Sequence, residues 1–106
     1  MKTTKEALIE TADLFETKGW CRGAYAQDKD GVLVSEFSEK ADSFCLSGAM
    51  RRIVNDHILI QDMTCEIVRY LQSKEKYFHN IVEYNDYKAT SKADIIAVLK
   101  GAAETL

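Results

Sequence analysis

Apolar positions along this chain recur mostly every three or four residues, the spacing that puts them on one face of a helix. Leu8, Thr11, Ala12 and Phe15 make the first such stripe. Thr3-Thr4-Lys5-Glu6 ahead of it has the form of a capping box, so a helix is predicted over about Thr3 to Lys18. Gly19 follows, in the place where a left-handed residue closes a helix and the next apolar residue, Trp20, folds back on Phe15. The spacing then changes. Small and aromatic residues alternate from Gly23 to Gln27, and Asp28-Lys29-Asp30-Gly31 is a turn signal ahead of Val32-Leu33-Val34, which together predict a short β-hairpin.

Helical spacing returns with Ala41, Phe44, Cys45, Gly48 and Ala49. A second helix is predicted from about Glu39 to Val54 with Ser38 as its cap, and Gly48 implies close approach of another backbone, taken to be a crossing helix. Met63, Ile67, Tyr70 and Leu71 mark a third helix from about Leu59 to Ser73. The aromatic-rich segment 76–88 has no clear period, although Tyr77, Phe78, Tyr84 and Tyr87 require it to pack. Thr90-Ser91 then caps a last helix to about Glu104, with Ile95, Val98, Leu99 and Ala102 as its buried stripe. The expected fold is mainly α, a single small domain of about four helices with one short β-hairpin.

Length and composition agree with one domain: 106 residues, 46% hydrophobic and 29% charged. No apolar run reaches the length of a membrane span, and Glu6, Glu10, Asp13 and Glu16 are foreign to a secretory leader, so no membrane association and a cytoplasmic location are expected. A formal charge of -3 is no footprint for direct nucleic-acid binding. Three cysteines without close pairing, Cys21, Cys45 and Cys65, read as reduced thiols.

No catalytic set, metal site or cofactor motif is complete. Cys45 with His57 or His79 as base and Asp56 or Asp86 as orienting group has the right chemistry for a nucleophile, but a cysteine on a small-residue face reads first as core. The cysteines and histidines lack zinc spacing, and Asp28-x-Asp30-Gly31 fails as a calcium loop because Phe37 stands where a bidentate acid is needed. Arg51, Arg52 and Arg69 are too diluted by acids to form a basic patch.

The elements Gly19-Trp20-x-x-Gly23, Asp28 and Gly31, Ala41-x-x-Phe44-Cys45-x-x-Gly48-Ala49, Asn85-Asp86, and Thr90 followed by Ile96-x-x-Leu99 together resemble a family of small phage and bacterial proteins known only as a domain of unknown function. The resemblance implies a shared fold and a mobile-element origin, and it carries no catalytic residues over. The function expected is a non-catalytic module that binds a protein partner, a phage or mobile-element accessory protein modulating a host system. Its candidate contact residues are Tyr77, Tyr84, Asn85, Asp86 and Tyr87, because tyrosine is enriched among binding anchors. Asn85-Asp86 also reads as an Asx turn leading into the last helix. Two alternatives stay open: a small enzyme using Cys45 with a histidine, and an adaptor binding a small ligand through the 77–87 segment.

Overall fold

In the computed structural model, which describes residues 2–74 and 81–106, the first helix, α1 (Thr4–Thr17), begins as its sequence dictates. Thr3 accepts from the Glu6 amide while the Glu6 carboxylate accepts from the Thr3 amide, so two otherwise orphaned donors are satisfied reciprocally. Ala7, Leu8, Thr11, Ala12 and Phe15 are buried on one face. Thr11 sits there at little cost because its hydroxyl donates to the Ala7 carbonyl at 2.7 Å.

The helix does not end in a left-handed cap. Lys18 is extended, at φ −118° and ψ 163°, and the chain runs directly into strand β1 (Gly19–Trp20). Gly19 sits close to the neighbouring strand: a Cβ there would stand 3.2 Å from the Ser43 Cβ, a tight contact. The Schellman closure over Trp20 is therefore replaced by strand pairing.

Strands β2 (Ala26–Gln27) and β3 (Ser43–Phe44) complete a three-stranded sheet in the order β1-β3-β2, with β1 parallel and β2 antiparallel to β3. The expected hairpin turn is present. Gly31 takes a φ of 82°, and one Asp28 carboxylate oxygen accepts from the Asp30 and Val32 amides, both at 2.9 Å. The return limb pairs through a Gln27–Leu33 bridge, with the Asp28 amide bonded to the Val32 carbonyl and the Val34 amide to the Ala26 carbonyl.

The predicted second helix is corrected over its first half. Helix α2 is Leu46–Ile53, and residues 43–44, read as helical, form the central strand. Their apolar spacing suits a helix, but two neighbours compete for the same backbone: Gly19 and Cys21 donate to the Asp42 and Phe44 carbonyls, and the Asp42 and Cys45 amides donate to Gln27 and Tyr25. Tertiary pairing overrides the weak local preference. Ser38 caps no helix; its hydroxyl accepts from the Lys40 amide in a local turn.

Helix α3 (His57–Ser73) is capped by Asp56, and helix α5 (Lys92–Glu104) by Ser91. Between them α4 (Ile81–Glu83) continues into a π-helical turn over Tyr84–Lys88. The core lies where α1 packs on α5 and α3 closes over both. Phe15, Phe44, Leu46, Met63, Ile67, Ile95 and Leu99 are fully buried in it. The architecture is mainly α, one small domain, with the sheet and the π turn along one side.

Candidate functional site

Residues far apart in sequence meet where β1, the start of α2 and the π turn converge. Asn85 is at the centre and is 1% exposed. Its Oδ1 accepts from the Trp20 indole Nε1 at 2.7 Å and from the Leu46 amide at 3.0 Å. Its Nδ2 donates to the Cys21 carbonyl at 3.2 Å and to Asp86 Oδ1 at 2.9 Å. All the hydrogen-bonding capacity of the side-chain amide is used, and the donor-only indole fixes which end is oxygen. Asp86 Oδ1 also accepts from the Gly23 amide at 3.1 Å, in a turn where Gly23 has a φ of 74°.

Cys45 is the N-cap of α2. Its sulfur accepts from the Gly48 amide at 3.2 Å, and its carbonyl accepts from Ala49. Burial is the main cause that pushes its thiol up to about 11, with the amides of Gly48 and Ser47 acting in the opposite direction. Cys21, opposite it beyond the last β1–β3 pair, is also raised by burial. Gly48 confirms the close approach expected of it but with a different partner. A Cβ there would stand 2.0 Å from the Tyr25 carbonyl oxygen, so the crossing backbone is the turn before β2 and not a helix.

These elements enclose a cleft of about 300 Å³. Its lining comes from the turn Gly23, Ala24 and Tyr25, from Cys45 and Ser47 at the start of α2, and from Val82, Asn85 and Asp86. Tyr25 is 51% and Val82 50% exposed at the rim. Arg51 lies over the Tyr25 ring at 5.1 Å and is paired with the Glu36 carboxylate, while Arg52 donates to the Glu36 and Ser38 carbonyls. Both arginines thus pin the 35–38 loop, and Arg69 pairs with Glu66 on α3.

The five candidate contact residues fall in different places. Tyr77 lies outside the described residues. Tyr84 is buried, and burial pushes its phenol up. Asn85 is the buried hub rather than an Asx turn or an outward contact. Asp86 is half-buried at the cleft, and Tyr87 is 78% exposed. Tyr25 and Val82 belong to no candidate set read from the sequence; the alternation of small and aromatic residues after Gly23 is the signal for Tyr25, and the apolar pair Ile81-Val82 is the signal for Val82.

The nucleophile constellation does not assemble among the described residues. Cys45 and Asp86 share the cleft, but no contact joins Cys45 to a histidine. His57 is exposed on the first turn of α3, and the Asp56 carboxylate is engaged in capping that helix; His79 lies outside the described residues. Nor do any three described His, Cys, Asp or Glu side chains converge as metal ligands would. No described helix is long and apolar enough to cross a membrane.

The fold and site define a small, mainly helical domain whose one side is stitched by a buried asparagine under a shallow cleft. The chain belongs to DUF6197, a family of unknown function, whose model matches residues 1–105. No curated protein matches the chain, and no solved structure does. Six of the residues that carried the family resemblance meet here: Trp20, Gly23, Cys45, Gly48, Asn85 and Asp86.

Proposed function

We propose that this protein is a non-catalytic module that binds a protein partner through the face around the Asp86 cleft. The observation that carries the reading is the apolar rim: Tyr25 and Val82 flank the cleft on two separate elements, and Tyr87 stands exposed on the π turn next to Asp86. Exposed aromatic and aliphatic side chains around a concavity are the usual material of binding anchors. The thiol in the cleft supports the same reading. A nucleophilic cysteine is deprotonated near neutral pH, whereas Cys45 is buried, caps a helix and is held protonated. The net charge of -3 favours a protein over a nucleic acid. We place its action in the cytoplasm, as an accessory protein of a phage or mobile element acting on a host system, on the strength of the family resemblance.

Photo-crosslinking tests this reading. A benzoylphenylalanine replacing Tyr87 should capture one partner in host cells, and the same probe at Asp13, exposed on α1, should not. Capture through Leu33, in the other exposed apolar stretch of Val32, Leu33 and Phe37, would move the interface to the hairpin and overturn the assignment. Rapid labelling of Cys45 by a thiol reagent in the folded protein would overturn the non-catalytic reading.

A further inference from the structure

We propose that the cleft is a socket for a lysine side chain of the partner, with Asp86 holding the ammonium and Tyr25 and Val82 flanking the aliphatic stem. The inference rests on the binding-module reading and adds the chemistry of what enters the cleft.

Most polar groups around the cleft are already engaged. The α2 N-terminus is not an open anion site, because the Leu46 amide is bonded to Asn85, the Gly48 amide to the Cys45 sulfur and the Ala49 amide to the Cys45 carbonyl. The nearby cations are also engaged. Arg51 is paired with Glu36, and Arg22 lies over the Trp20 ring and donates to the Ala89 carbonyl. Asp86 is the charged side chain among the described lining residues. Its Oδ1 takes two N–H groups, from Gly23 and Asn85, which fixes the carboxylate in place, and no described residue donates to its Oδ2. A fixed carboxylate oxygen beside apolar walls complements a cation on an aliphatic stem.

The same geometry favours lysine over arginine. A guanidinium binds a carboxylate best through two parallel N–H bonds to both oxygens, and here one oxygen is already doubly occupied. An ammonium needs a single acceptor and aims its remaining donors independently. Ser47, also in the lining, carries a hydroxyl that can serve as a second acceptor.

The test is an NMR titration of the whole chain with N-acetyl-lysine methylamide and with its norleucine counterpart, which has the same stem and no ammonium. The lysine probe should shift the Gly23, Ala24 and Ser47 amides and bind about tenfold more tightly than norleucine, as a charge-assisted hydrogen bond implies. Asp86→Asn keeps an acceptor for Gly23 and Asn85 and should abolish that preference. Equal binding of the two probes, tighter binding of the arginine analogue, or an unchanged preference in Asp86→Asn would each overturn the lysine socket. Should Asp86→Asn fail to fold, Nε-acetyl-lysine methylamide on the native protein decides, since its neutral side chain should bind no better than norleucine. Any of these failures leaves the crosslinking result at Tyr87 standing, so the socket and the binding face fail separately.

Discussion

Leu8 and Phe15 on α1, Met63 and Ile67 on α3, and Ile95 and Leu99 on α5 are all fully buried, and as hydrocarbon, aromatic or thioether side chains they hold their helices together by apolar contact. On the other side of the molecule the joining groups are polar or sterically exacting: Asn85 with its full set of partners, Cys45 on the α2 amides, Arg51 on Glu36, and Gly48 against the Tyr25 backbone. The difference matters because apolar packing depends on volume and tolerates conservative exchange, whereas a buried amide is directional and leaves orphaned donors when it is removed. The helical side supplies the scaffold, each buried large side chain contributing about 1.5–3 kcal/mol. The stitched side sets the shape of the cleft.

The strongest way to break this contrast is Gly48→Ala. The added Cβ would meet the Tyr25 carbonyl oxygen at 2.0 Å and its carbon at 2.8 Å, and backbone cannot swing aside as a side chain can. Destabilisation of about 3 kcal/mol or more is expected in urea unfolding, far above the helix-propensity gain of up to about 1 kcal/mol. Unchanged stability would mean that α2 and the turn do not touch.

Asn85→Ala comes next. It leaves the Trp20 indole and the Leu46 amide without their acceptor, at an expected cost of about 2–3 kcal/mol, and the tryptophan emission should shift as its indole partner is lost. Ile67→Val, equally buried on the helical side, should cost only about 1 kcal/mol. Equal losses in the two variants would erase the distinction between the sides.

The smallest effect is expected at Gly101, where α5 meets α3. A Cβ there would lie 2.3 Å from the Tyr70 ring, a clash nearly as short as that at Gly48. The obstacle is the far end of a half-buried side chain, so the ring can move, and better helix propensity offsets part of the strain. Gly101→Ala should therefore stay within about 1 kcal/mol of the parent protein by the same urea measurement. A cost matching that of Gly48→Ala would show the helical side to be as unforgiving as the other.

What the sequence by itself determined is the helical side: the capping box at Thr3 and Glu6, the buried stripes of α1, α3 and α5, the Ser91 cap and the Asp28–Gly31 turn. Those features arise from residues a few positions apart, so local periodicity and capping chemistry are sufficient to read them. The tertiary structure decided the rest. Whether residues 43–44 are helix or strand depends on β1 and β2 being present to take their backbone groups, and Gly48 is glycine because of the Tyr25 backbone. The same holds for Asn85 and Asp86, whose type suited a turn or an exposed contact equally well. The bonds that make Asn85 a hub join it to residues 39, 64 and 65 positions away. A hydrogen bond between groups so distant leaves no periodic trace in the chain, because it depends on where the whole fold brings the two groups and not on what lies beside either of them.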